Sequence, residues 1–153
     1  MYLLIKGINM QNIKIATTKS EINKAFAIRR KVFIEEQNVP EQRERDEYDK
    51  EAKHVIVIAD GKVIGTTRLR FIEEGNMKIE RMAVIKEFRS QGFGEQILKF
   101  IENYAKTHNV KELILHSQWQ ARKFYAKFGF KERGKIFMDA GIEHIEMFKR
   151  IGF

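Results

Sequence analysis

Cysteine is absent from this chain. That removes disulfide frameworks, thiol nucleophiles and cysteine-based zinc sites from consideration, and it fits a cytoplasmic setting. Proline occurs once, at Pro40, so there is no proline-rich linker. No stretch approaches the roughly 20 apolar residues that a membrane span needs, and no membrane partner is expected. The four histidines are scattered without a short ligand spacing, so no metal site is expected. Internal repeats and low-complexity tracts are also missing. The opening MYLLIKGINM has a short apolar patch, one Lys and no small-residue cleavage site. It reads as a flexible or strand-like lead over residues 1–11, not as a signal peptide.

What is present describes one soluble domain over residues 1–153, with 43% hydrophobic and 33% charged residues. The net charge of +8 is unevenly spread. Glu35 to Glu51 holds eight acidic and three basic residues, and the remainder holds 26 basic and 13 acidic ones. A basic body suits a polyanionic partner such as nucleic acid or a phosphate-rich cofactor. The acidic segment breaks any continuous nucleic-acid footprint and would suit an amine-bearing substrate at one mouth of the protein. No helical stretch combines a dense Lys/Arg face with exposed aromatics, so no nucleic-acid partner is expected.

Apolar spacing lays out the elements. Asn12 to Thr17 alternates as a half-buried strand. Ser20 offers an N-cap to a helix carrying Ile22, Phe26, Arg29, Arg30 and Phe33, which should end before Pro40. Strands at 54–59 and 63–71 flank the turn Asp60-Gly61, and a third at 77–85 completes an antiparallel meander. A glycine-containing loop then leads into a helix from Phe93 to about His108. A short strand at 112–116, a short helix at 118–128 and two paired strands at 130–138 and 142–148 follow. The expected fold class is α/β, a mixed, largely antiparallel sheet flanked by helices, with one right-handed crossover.

The loop Ile85-Lys-Glu-Phe-Arg-Ser-Gln-Gly-Phe-Gly94 sits between strand and helix. Gly92 and Gly94 allow backbone N–H groups to converge on an anion, the helix start adds unpaired donors, and Arg89 adds a full charge. A pyrophosphate fits such a loop. The spacing matches neither G-x-x-x-x-G-K-[ST] nor G-x-G-x-x-G, since position 97 is Ile.

Met82-Ala-Val-Ile-Lys-Glu-Phe-Arg-Ser-Gln-Gly-Phe-Gly94 resembles the R/Q-x-x-G-x-G/A acyl-CoA loop of the GNAT superfamily, and Phe124-Tyr-Ala-Lys-Phe-Gly-Phe130 resembles its second signature. Arg30-Lys-Val-Phe-Ile-Glu-Glu-Gln37, His116-Ser-Gln118 and Ala140-Gly-Ile-Glu-His144 are similar to the ElaA-like acetyltransferases, a small bacterial branch. The resemblance covers almost the whole chain after residue 11. It implies a GNAT acyl-CoA N-acyltransferase fold in which the strand before the loop splays from the next one. It also implies acetyl-CoA as co-substrate, a small-molecule amine as acceptor, and direct transfer in a ternary complex. A homodimer through the terminal strands would suit the family.

Carried onto this chain, the resemblance puts Met82, Ala83 and Val84 beside the pantetheine and the acetyl carbonyl. It puts Arg89, Ser90, Gln91, Gly92, Phe93 and Gly94 on the pyrophosphate. Gln118 stands where most of the superfamily has a cofactor-contacting Asn. Tyr125 matches the Tyr that can protonate the leaving sulfur, with packing of the short helix beside Phe124 and Phe128 as its alternative. Two candidates stand for the base. Glu80, expected on the same strand face as Met82 and Val84, either removes an ammonium proton through water or is a charge paired with an arginine. His116 has a suitable pKa range, with structural hydrogen bonding as its alternative. Phe33, Glu36 and Gln37 are expected to line the acceptor pocket, with the acidic stretch nearby; Arg29 and Arg30 either bind a phosphate or carboxylate of the substrate or, as expected here, snorkel on the helix surface. The competing function is a non-catalytic acyl-CoA sensor, which would keep the loop without depending on Tyr125 or Glu80.

Overall fold

The computed structural model describes residues 12–152. The lead expected over residues 1–11 lies outside them.

β1 (Ile13–Ile15) leads into α1 (Lys19–Arg29) through a capping box. The Glu21 backbone N–H donates to Thr18 Oγ1 at 3.1 Å, and the Glu21 carboxylate accepts from the Thr18 N–H. Thr18, not Ser20, is therefore the N-cap, because only Thr18 has a Glu at the third helical position to close the box. The helix continues as a π-helix over Arg30–Glu36 and stops there, ahead of Pro40. A four-residue helix α2 (Glu41–Glu44) and a 3₁₀ turn (Glu47–Lys50) follow.

The strands β2 (Lys53–Ala59), β3 (Lys62–Ile72) and β4 (Asn76–Val84) form the expected meander. α3 (Phe93–Thr107) crosses to β5 (Glu112–Gln118), which is parallel to β4. α4 (Arg122–Lys127), β6 (Lys131–Asp139) and β7 (Ile142–Arg150) complete the chain. The seven strands make one sheet in the order β1-β2-β3-β4-β5-β7-β6. Ile97 and Ile101 of α3 share the main core with Val55, Val57, Leu69, Met77, Ile79, Leu113 and Leu115. Ala25 of α1 packs separately with Ala16 and Ile56. No helix among the described residues is long and apolar enough to cross a membrane.

Where α1 meets the sheet, the interior is ionic. Arg29 and Arg68 each leave 1% of their side chains exposed. Arg29 donates to Glu44 Oε2 at 2.6 Å, to the Glu44 carbonyl at 2.8 Å and to Asp49 Oδ1 at 2.7 Å. Arg68 donates to Asp46 at 2.7 Å, Asp49 at 2.8 Å and Glu80 at 2.7 Å. Buried guanidinium groups are tolerated only when paired and hydrogen-bonded, and the 41–50 segment supplies those partners. This corrects one expectation. Arg29 is buried, not snorkelled at the helix surface. The inner carboxylates of the acidic segment are paired with the protein's own arginines.

Burial by itself would raise the Asp49 carboxyl, but the hydrogen bonds from Arg29 and Arg68 outweigh it and hold the group well below the usual carboxylate range. Glu80 is likewise raised by burial and lowered further by Arg70 and Arg68, to about 2. Both groups are depressed in the folded state. Their stabilisation is complete above the ordinary value of 4.5 for Glu80 and is lost as pH falls toward about 2. Glu44→Gln, which leaves Arg29 with Asp49 as its remaining carboxylate partner, is expected to cost about 3 kcal/mol in urea denaturation at neutral pH.

Candidate active site

The parallel ladder between β4 and β5 runs only from Asn76↔Glu112 to Ile79↔Leu115. Beyond it, residues 80–84 of β4 and 116–118 of β5 diverge, leaving one edge of β4 without a strand partner. The other edge is irregular as well. Between Arg68↔Glu80 and Thr66↔Ala83 the register shifts, so two residues of β4 face Thr67. Arg81 occupies this bulge at φ +57, a left-handed conformation that a non-glycine residue adopts only when its surroundings hold it. Its guanidinium is tied to the Glu44 carbonyl at 3.0 Å and to Asp46 at 3.2 Å.

The bulge re-aims the strand. Glu80 and Ala83 pair with Arg68 and Thr66, which lie on one face of β3, so Glu80 shares a face with Ala83. The expectation that it shares one with Met82 and Val84 fails because strict alternation breaks at Arg81. Glu80 is a paired charge, bound by Arg68 and by Arg70 at 2.8 Å.

A cleft of ≈ 320 Å³ opens at the divergence. It brings together Phe33, Gln37, Glu80, Met82, His116, Gln118 and Tyr125. Ala83, Val84, Glu36 and the 89–94 loop do not line it. His144 also faces it, as do Lys78 and Arg81, which no motif marks in the sequence.

The Tyr125 hydroxyl lies 3.8 Å from the Met82 sulfur, and burial pushes its phenol up to about 12. It therefore stays protonated across the physiological range. His116 at the end of β5 has Nε2 3.2 Å from Glu146 Oε1. A carboxylate accepts, so the proton belongs on Nε2 and the lone pair on Nδ1. Burial, with the Lys78 charge, holds the imidazole below its ordinary value against the opposing pull of Glu146. Gln118 Nε2 donates to Gln37 Oε1 at 3.0 Å, which joins the end of β5 to the end of the π-helix.

The loop after β4 has the features of an anion cradle. Ser90 and Gly92 both take positive φ, and α3 starts without any side-chain cap, in contrast to α1. Among the described residues, no side chain pairs the first N–H groups of this 15-residue helix. Arg89, though partly exposed, is already engaged. Its Nε–H donates to the Val84 carbonyl at 2.7 Å, and both terminal nitrogens donate to Glu36, at 2.6 and 2.8 Å. Glu36, expected at the acceptor pocket, is drawn to this loop because it is the carboxylate that Arg89 meets.

The two glycines act differently. Gly92 has open space where a Cβ would lie, but its φ of +89 favours glycine. At Gly94 a Cβ would stand 2.8 Å from Phe124 Cζ. Gly94→Ala should therefore displace Phe124 and α4, costing about 1–3 kcal/mol in thermal unfolding. Gly92→Ala should leave α4 in place and cost about 1 kcal/mol through backbone strain alone.

A family model described as Acetyltransferase (GNAT) domain matches residues 13–151. An uncharacterised N-acetyltransferase of Bacillus subtilis, YjcF, is 40% identical over 136 residues, covering 88% of this chain and 96% of its own. ElaA of Escherichia coli superposes with a TM-score of 0.79 at 22% identity, over 90% of this chain and 99% of its own. A GNAT family acetyltransferase from Elizabethkingia anophelis with acetyl-CoA bound superposes with a TM-score of 0.70 at 19% identity, over 91% and 98%. These two structural likenesses speak for the fold. Among the described residues, no group of three or more His, Asp or Glu side chains is placed to hold a metal ion.

Proposed function

Because the chain belongs to the GNAT acetyltransferase family and is an acetyl-CoA-dependent N-acetyltransferase, we propose that the divergence of β4 and β5 is its transfer site, acting on a primary amine as one catalytic domain. The observation that carries this reading is the unpartnered edge of β4 opposite His116–Gln118, with Tyr125 and Met82 in the same cleft. Acetyl-CoA supplies the activated thioester. A solved relative by fold holds that molecule, and the uncapped start of α3 suits its pyrophosphate together with residues 89–94.

Three tasks fall to the protein. The backbone of Met82, Ala83 and Val84 offers hydrogen bonds at the strand edge, where negative charge develops on the carbonyl oxygen. His116, neutral and with Nδ1 free, takes the proton from the acceptor's ammonium so that its nitrogen can form the new N–C bond. Tyr125, kept protonated by burial, gives its hydroxyl proton to the sulfur as the C–S bond breaks. Glu80 is assigned the second role weighed for it, a structural ion pair, because a carboxyl held near 2 is a weak base at neutral pH. Phe33 and Gln37 form the acceptor wall. The comparisons lend no support to the non-catalytic sensor. A homodimer would have its seam at the edge strand β6, where Ile136 and Met138 are exposed.

A thiol-release assay over a panel of amines tests the assignment. Tyr125→Phe keeps the ring packing and should lower kcat by about 10²-fold, with the KM for acetyl-CoA little changed. An unchanged kcat would remove Tyr125 from the chemistry. In His116→Gln, the acidic limb of the pH–rate profile, which lies below the ordinary histidine value of 6.5 in wild type, should disappear. A limb that persists would point to another base.

A further inference from the structure

Glu36 and Gln37 are adjacent at the end of the π-helix Arg30–Glu36, and they hold opposite lips of the divergence. Glu36 binds Arg89 on the loop that follows β4, and Gln37 binds Gln118 at the end of β5. A π-turn widens the helix by one residue per turn, and such turns concentrate at functional sites. Here the turn lays one short strap from lip to lip.

The Arg89 end carries the sharper consequence. Three of the five N–H groups of its guanidinium are already used, one on Val84 and two on Glu36. A carboxylate therefore sits on the cation that the loop would present to a pyrophosphate. Both side chains are more than a third exposed, at 37% and 38%, so an incoming anion can reach the pair. An exposed pair of this kind is weak enough to be exchanged. A diphosphate brings more negative charge than one carboxylate and can also take the uncapped N–H groups of α3.

We propose that Glu36 is an internal competitor for the cofactor's pyrophosphate: it holds Arg89 while the loop is free, gives it up when the diphosphate arrives, and so sets how tightly coenzyme A is bound. Glu36 acts through Arg89, as a positioning residue. The inference rests on residues 89–94 being the pyrophosphate loop.

Calorimetric titration of the full chain with coenzyme A, and with pantetheine as a probe lacking the pyrophosphate, tests it. Glu36→Gln should tighten coenzyme A binding about two- to fivefold, the range that an exposed ion pair commands. Glu36→Asp, which keeps the carboxylate, should fall back toward wild type, and pantetheine binding should not change. In an Arg89→Ala background, Glu36→Gln should have no further effect. Weaker or unchanged binding in Glu36→Gln would overturn the proposal, as would a gain that persists without Arg89. If wild type and every variant fail to bind coenzyme A, the reading of the loop falls, and this inference falls with it.

Discussion

Two buried guanidinium groups, Arg29 on α1 and Arg68 on β3, set the terms for one half of this protein. Neither can remain in the interior without carboxylates, and the chain brings Glu44, Asp46 and Asp49 from a segment with little apolar surface of its own. Hydrophobic contact alone would not fix where residues 41–50 sit. Directional hydrogen bonds do, and Arg45 over Phe26 and Arg70 over Tyr48 add cation–π contacts at 3.6 and 3.8 Å. The cleft inherits this order. Glu80 and Arg81, both on its wall, are held by the same group of charges.

Two irregularities of the sheet shape the proposed transfer site. The parallel pairing of β4 with β5 stops after Ile79, and the pairing of β4 with β3 is bulged at Arg81. One frees an edge of β4 for a ligand; the other turns Met82 toward α4, where Tyr125 reaches its sulfur. Tyr125 is kept protonated and His116 neutral, each chiefly by burial. Loss of solvent moves the phenol up and the imidazole down, so the two groups respond in opposite senses to burial.

Much of the architecture could be read from the residues. Asp60-Gly61 announces its hairpin, and the spacing of Ile97, Leu98 and Ile101 announces α3. The misplacements have local causes. A cap needs its reciprocal Glu, so Thr18 outranked Ser20. A bulge leaves no mark on a strand of ordinary residues, so the face of Glu80 was misassigned. The ionic interior did leave a signal: Arg68 lies within Val63–Leu69, a run otherwise buried or nearly so, and a charge in such a run requires partners. Which acidic residues would answer it is a long-range matter that no spacing encodes. The same holds for Glu36 meeting Arg89 across 53 positions.

The contact between Gly94 and the Phe124 ring joins the two segments by which the family is recognised, one on the phosphate loop and one on α4. In this protein they are two halves of a single packing joint. A lineage that added a side chain at position 94 would have to shrink the ring at 124, and a lineage that dispensed with the phosphate loop would leave α4 without its floor. The two segments are therefore constrained to drift together, and exchanging the loop between relatives without its partner should disturb α4, a helix that the exchange never touched.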